Sequence, residues 1–358
     1  MLLAVSHLYK RFNLEAGFFA RFGRFVNAVN DISFSIGKNQ SYGLAGESGC
    51  GKTTTARMLV RMYEADSGEI LYHQGDAPLN VAALRKDELR QYREKVRYVF
   101  QDPARSLNPR MSVYEVLVSG CRKPLRRRGV SENELRLKAA AILEEVGLQA
   151  ADLEKRPSEF SGGQRQRISI ARALLMEPEL LICDEVVSAL DVSIQGQILN
   201  LLLDIREKRD MSFLFIAHDL KVACYFCDRI GVMYKGELME EAPAANLYRE
   251  ALHPYTQLLF SSAAGVSTEE SHTELHGEEN NEENKITQDD SAELGNYAQS
   301  SVPSSLREMD SSCPFAPRCT QAAERCFREH PALCEVSSGH SIRCFNYAAA
   351  ADLSSVNP

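Results

Sequence analysis

Between Gly46 and Thr53 the chain reads GESGCGKT, and this octapeptide carries chemistry that residue types alone disclose. Gly46, Gly49 and Gly51 let the backbone turn tightly, so successive N–H groups aim into one concavity. The apolar run SYGLAG precedes the turn and a helical pattern follows it. The concavity therefore sits at the positive end of a helix, where a polyphosphate is stabilised. Lys52 adds a point charge for the outer phosphates, and the Thr53 hydroxyl is placed to ligate Mg²⁺. The spacing is that of the phosphate-binding P-loop. A chance glycine-rich turn is the alternative, and the strand before and helix after weigh against it. A nucleoside triphosphate is expected here, but kinases, GTPases, motors and transporters share this loop.

A second glycine-rich turn, Ser161-Gly162-Gly163-Gln164, opens the helical stretch RQRISIARALL. It offers backbone amides, a hydroxyl and a helix N-terminus to anionic oxygens. One triphosphate does not need two such cradles in a single domain. A second copy of the chain, facing the first head to tail, would let one nucleotide use both; a helix cap without a ligand is the plainer alternative. About twenty residues on, the apolar strand LLICDE ends in the acidic pair Asp184 and Glu185.

The elements that must carry these residues are legible in outline. SYGLAG, VRYVF, LLICD and FLFIAH are short β-type runs that fit buried strands, and they alternate with helical patterns up to about residue 260. SENELRLKAAAILEEVG reads as a helix, with Ser131 and Glu134 as a capping box and Gly147 as its stop. From 263 to 312 the chain is polar, acidic and nearly free of aromatics, a composition that cannot bury enough surface to order itself and reads as a disordered tether. A cysteine-rich tail, 313–358, follows.

Bulk properties narrow the class. The 358 residues suffice for two domains, and 44% hydrophobic with 25% charged residues describes an ordinary globular chain. No apolar run approaches the roughly 20 residues of a membrane helix, and MLLAVSHLYKRF is too short in its apolar part for a secretory signal. The net charge of −8 is concentrated: residues 269–293 hold ten acids against one lysine, leaving the remainder at +1. No domain-wide basic field marks a nucleic-acid binder. One basic cluster, CRKPLRRRG from Cys121 to Gly129, reads as solvated loop charge or as a contact for lipid head groups or partner loops.

Taken with GESGCGKT, the stretch SGGQRQRISIARAL followed by LLICDE resembles an ABC-type ATPase, and HPYTQLLF and SALDVSIQ resemble the ATP-binding subunit of bacterial oligopeptide/dipeptide importers. The resemblance covers residues 3–262 and resumes in the cysteine tail. It implies an α/β P-loop cassette with a RecA-like core, an antiparallel β-subdomain and a helical subdomain, spanning residues 1–262. Two such subunits would sandwich two ATP. By position, Gly46, Glu47, Ser48, Gly49, Cys50, Gly51, Lys52, Thr53 and Thr54 would hold the triphosphate, and Ser161, Gly162, Gly163 and Gln164 would form the signature. Thr53, Gln101 and Asp184 would serve Mg²⁺, Glu185 would polarise the attacking water, and His218 would donate to the γ-phosphate. Asp191 matches a loop that crosses the dimer interface. Phe12, with Tyr9 as runner-up, matches the aromatic that stacks on adenine. One departure is visible: Val186 stands where the family usually has proline, which removes no functional group.

The resemblance also implies partners: two membrane permease subunits, a second ATPase subunit, identical or homologous, and an extracytoplasmic solute-binding protein, with this subunit at the cytoplasmic face of the membrane. Nickel importers share the same wording, so cargo stays open. A soluble ABC ATPase acting on ribosomes or DNA is the rival class, but those carry tandem cassettes or a long coiled coil, for which Thr53 to Leu180 leaves no room. In the tail Cys313, Cys319, Cys326, Cys334 and Cys344 fall within 32 residues. Family position implies Cys313, Cys319, Cys326 and Cys344 as ligands of a 4Fe–4S cluster, with Cys334 extra. Reduced thiols in a metal-free docking module, and zinc, which usually has a C-x₂₋₄-C pair, are the other readings. A chain that is chiefly an iron–sulphur sensor is opposed by the intact phosphate cradle.

Overall fold

The structure, a computed structural model, describes residues 1–13, 25–74, 77–262 and 312–347. Among the described residues twelve strands are formed: β1 (Leu3–Asn13), β2 (Phe25–Ile36), β3 (Ser41–Ala45), β4 (Ser67–Gln74), β5 (Ala77–Asn80) and β6 (Val96–Val99) in the first part of the chain. β7 (Leu180–Asp184), β8 (Ser212–Ala217), β9 (Arg229–Tyr234), β10 (Glu237–Pro243), β11 (Cys334–Ser337) and β12 (His340–Ile342) complete them. β2-β1-β4-β5 make an antiparallel sheet, and the remaining eight form a second sheet in the order β11-β12-β10-β9-β3-β8-β7-β6. Within it β9-β3-β8-β7-β6 is a parallel run.

Alternation along the central strands explains why this sheet is buried on both faces. Leu181 and Cys183 of β7, with Phe213 and Phe215 of β8, face one apolar cluster, while Leu180, Ile182, Leu214 and Ile216 face the other. Successive side chains point to opposite faces, so continuous apolar runs are what a parallel strand covered on both sides requires. The carboxyl ends of β3, β6, β7 and β8 therefore emerge along one edge, where ligands of open α/β sheets bind.

Between β6 and β7 lies the helical part, including Glu132–Glu145 and Gly162–Leu174. The first starts where Ser131 and Glu134 cap each other and ends ahead of Gly147, whose φ of 77° closes the last turn. The basic cluster expected as a solvated loop is instead a helix, Arg122–Arg127, with Cys121 and Leu125 buried. Glu132 supports it by accepting from Arg122 at 3.0 Å and Arg126 at 2.9 Å.

The cysteine tail shares the cassette's sheet, since β12 pairs with β10. Glu240 of β10, fully buried, accepts from the Leu252 and His253 N–H groups at 2.7 and 3.1 Å and meets His340 Nε2 at 2.8 Å. Glu237 meets Asn30 and His330 at 2.7 and 2.8 Å in the same way. The segment read as a disordered tether, 263–312, lies outside the described residues except for Ser312.

Candidate functional site

The loop after β3 turns through three glycines at positive φ: Gly46 (143°), Gly49 (78°) and Gly51 (110°). At two of them glycine is obligatory for a second reason: a Cβ on Gly46 would stand 2.2 Å from the Met233 carbonyl oxygen, and one on Gly51 2.1 Å from that of Ala28. The helix Lys52–Leu59 starts directly behind. Lys52, 3% exposed, donates from Nζ to the carbonyl oxygens of Gly46 at 2.7 Å and Glu47 at 2.9 Å. All three N–H bonds are thus held by the loop itself, the third toward Cys50 Sγ at 3.7 Å, which fixes the ammonium charge within the loop. Ser48 and Thr54 flank that turn. Cys50 is buried beside Lys52, and burial pushes its thiol up, which makes it an inert packing group.

Thr53 lies at the loop's end and its hydroxyl donates to Asp184 Oδ1 at 2.8 Å, joining β3's loop to the end of β7. Two hard oxygens beside a phosphate cradle are a donor set that suits Mg²⁺. Tyr98 of β6 donates to the other Asp184 oxygen. Glu185 follows in a left-handed backbone conformation, φ 48°, uncommon for a residue with a Cβ. Its backbone N–H bonds the Ile216 carbonyl at 3.1 Å and the Ser188 hydroxyl donates to its own carbonyl at 2.9 Å. Val186, in place of proline, is buried and leaves this turn intact. The side-chain amide of Gln101, two residues past β6, donates to Glu185 Oε2 at 2.6 Å. His218, the residue after β8, is exposed at the same edge.

Ser161, Gly162, Gly163 and Gln164 open the helix Gly162–Leu174 as a capping box: the Gln164 N–H donates to Ser161 Oγ at 3.3 Å and the Ser161 N–H to Gln164 Oε1 at 2.9 Å. Ser161 and Gln164 remain exposed, as do Asp191 and its neighbour Val192 at 84%. Phe12 is half-buried edge-on against Tyr63, ring centroids 5.4 Å apart, while Tyr9 lines a separate cavity of about 650 Å³ with Lys235, Glu237 and His330.

Four tail cysteines, Cys313, Cys319, Cys326 and Cys344, line one small cavity with His253 and Phe315; Cys334 does not. All are free thiols, and burial pushes those of Cys313 and Cys344 up. Among the described residues no group of three or more His, Cys, Asp or Glu stands as placed to hold a metal ion. Residues that sequence reasoning missed also come from this side: the Tyr255 hydroxyl accepts from the Glu47 N–H at 2.9 Å, and Arg318 grips the Glu47 carboxylate. Such tertiary contacts leave no mark in local spacing; Tyr98 had only its place in a strand.

Comparison with known proteins agrees with this geometry. Residues 29–188 match the ABC transporter family, and 239–295 with 285–326 match the oligopeptide/dipeptide transporter C-terminal region. A dimeric, post-hydrolysis ATP-binding cassette, MJ0796, bound to ADP and Pi, superposes with a TM-score of 0.58 at 26% identity, covering 68% of this chain and 99% of that one. The fold and its phosphate loop define an ABC-type ATPase cassette. The oligopeptide transport ATP-binding protein OppF of Bacillus subtilis is 45% identical over 262 residues, 73% of this chain and 82% of that one. A probable peptide ABC transporter ATP-binding protein, y4tS of Sinorhizobium fredii, is 38% identical over 353 residues, 98% and 91% of the two chains. The chain belongs to the family of ATP-binding subunits of oligopeptide/dipeptide ABC transporters.

Proposed function

We propose that this chain couples ATP binding and hydrolysis to the uptake of oligopeptides or dipeptides through separate permease subunits, working at the cytoplasmic face of the membrane. One observation carries the reading: the phosphate loop, the Thr53–Asp184 pair and the Gln101–Glu185 pair converge on one sheet edge in a chain similar over nearly its full length to peptide-transporter ATPases. Among the described residues no helix is long and apolar enough to cross a membrane, so the path for cargo belongs to partners.

In this mechanism the P-loop amides and Lys52 bind the β- and γ-phosphates. Thr53 and Asp184, with Gln101 beside them, would hold Mg²⁺, which would supply positive charge to the phosphate oxygens. Glu185 orients the attacking water and takes its proton, and His218 donates to the γ-phosphate. Phe12 stacks on adenine. A second ATPase subunit supplies Ser161 to Gln164 from across the interface, with Asp191 at the crossing; the exposure of the signature and of Val192 supports such a face. Gln101 reports nucleotide state to the permease. A cleft of about 710 Å³ lined by Arg90, Arg122, Lys123 and Arg127 supports docking of a permease loop beside it. A solute-binding protein delivers cargo from outside. Copurification with permease subunits, then transport of labelled peptides against Ni²⁺, tests the reading; uptake of Ni²⁺ alone transfers the role to nickel.

For the tail, we propose Cys313, Cys319, Cys326 and Cys344 as ligands of a 4Fe–4S cluster. Support comes from four thiols converging on one cavity that excludes Cys334, a donor set apt for such a cluster. The sulphurs must draw closer than they stand. Anaerobically purified protein without iron, acid-labile sulphide or visible absorbance removes the proposal.

A further inference from the structure

Glu47 puts a carboxylate inside a loop built to bind a polyanion. Like charges beside one another disfavour binding, so this side chain needs an answer. The answer comes from the far end of the sequence. Arg318 Nη1 and Nη2 donate to Glu47 Oε2 and Oε1 at 2.7 and 2.8 Å, a two-pronged contact that spans 271 positions. The guanidinium is itself held over the rings of Tyr234 and Phe315, 5.7 Å from each centroid. Phe315 in turn rests on Tyr255, whose hydroxyl accepts from the Glu47 N–H. Backbone and side chain of one P-loop residue are thus both fastened to the C-terminal part of the chain.

We propose that Arg318 is a positioning residue of the nucleotide site: it neutralises Glu47 and fixes the Gly46–Glu47 carbonyls that aim Lys52, so the cysteine-rich tail forms part of the ATP pocket. The geometry links the steps. The Glu47 carbonyl accepts from Lys52 Nζ at 2.9 Å, and the same residue's carboxylate is the one Arg318 holds. Arg318 also keeps that carboxylate below its usual range, chiefly through the hydrogen bonds it donates. By linkage, ATP binding favours the docked tail as much as the docked tail favours ATP. Both side chains of the pair are about two-fifths exposed, so the effect is modest and screened by salt.

The inference rests on ATP occupying the P-loop, and equilibrium binding of Mg·ATP to the full-length chain separates the two. Wild-type protein that binds no ATP overturns the site reading and this inference together. If wild type binds, Arg318→Ala is expected to weaken ATP about fivefold, and Arg318→Lys, which keeps the charge but not the fork, by less. Glu47→Gln is expected to tighten binding, and the Glu47→Gln, Arg318→Ala double variant to return to within about twofold of wild type. A purely structural role for Arg318 does not yield that rescue. Binding by Arg318→Ala equal to wild type, or a double variant as weak as the single one, overturns the inference. Should Arg318→Ala not fold, Glu47→Gln decides it: weaker rather than tighter ATP binding refutes the neutralising role.

Discussion

The side-chain amide of Gln101 and the carboxylate of Glu185 meet across 2.6 Å, a contact that joins the segment after β6 to the residue after β7. Gln101 is exposed and opens toward the basic cleft side, whereas Glu185 is half-buried beside Asp184. In the proposed mechanism the carboxylate that takes a proton from water is thereby held by the side chain proposed to report outward. Glu185→Gln keeps the shape and removes the proposed base. Turnover is expected to fall by about a hundredfold or more while ATP stays bound. Steady-state phosphate release and nucleotide retention on a spin column measure the two effects. Hydrolysis at the wild-type rate would show that the base is elsewhere.

Asp184→Asn replaces one hard anionic oxygen beside Thr53 while preserving the hydrogen bond between them. A magnesium ion favours the carboxylate strongly over the amide. The variant should therefore need roughly tenfold or more Mg²⁺ for half-maximal ATPase activity, a shift worth about 1.4 kcal/mol or more. A Mg²⁺ titration at saturating ATP gives the answer, and an unchanged midpoint removes Asp184 from the metal's shell.

How much of this site was legible in the sequence differs by residue. The glycine spacing of the P-loop and the acidic pair at the end of LLICD are local, because each needs only a turn or a strand terminus, and the strands and the Ser131–Glu134 cap formed as read. The basic run after Cys121 was read as loop because its charges mask the apolar contacts of Cys121 and Leu125 that turn it into a helix. Tyr255 and Arg318 were not legible as site residues at all. Their contacts with Glu47 are set by how the chain returns to the sheet, and spacing carries no trace of a contact 271 positions long.

Phe12 and Tyr9 can be told apart by binding. Phe12 packs on Tyr63 near the phosphate helix, while Tyr9 faces the cavity toward the tail. Loss of base stacking typically removes about 1–3 kcal/mol. Phe12→Ala should accordingly weaken ATP at least fivefold, and Tyr9→Ala should leave it nearer wild type. The strand carrying Phe12 is tied down by Asp66, which accepts from Lys10 Nζ at 2.8 Å and the Arg11 N–H at 2.6 Å. These bonds hold the Asp66 carboxyl below its ordinary 3.8, the Lys10 bond foremost. The stabilisation is present above pH 3.8 and lost as pH falls through the lower folded value, so Asp66→Asn should flatten the acid limb of unfolding slightly.

Gly51→Ala tests the cradle itself. The added Cβ would stand 2.1 Å from the Ala28 carbonyl oxygen, with φ at 110° where side chains are strained. Backbone must move, and the loop N–H groups proposed to hold the phosphates move with it. The cost is expected to be about 2 kcal/mol or more, read as a lower melting temperature, together with loss of ATP binding. Gly196→Ala is the matched control: a Cβ there meets nothing within 4 Å, and it lies inside the helix Val192–Arg209, where alanine is favoured.

Glu240 decides whether the tail holds to the cassette. Its carboxylate is fully buried and accepts from two backbone N–H groups while pairing with His340 of β12. Glu240→Ala leaves those donors without a partner in a place water does not reach, at a cost of about 3 kcal/mol. Glu240→Gln keeps one acceptor oxygen and should cost less. Because β12 meets the cassette's sheet at β10 alone, with β11 as the tail's own outer strand, losing this anchor is expected to loosen the cysteine module before the rest of the cassette unfolds. Limited proteolysis should then release the tail from Glu240→Ala protein while residues 25–262 stay resistant. Equal protection of tail and cassette in that variant would mean the module is held chiefly by Phe315 and its ring contacts instead.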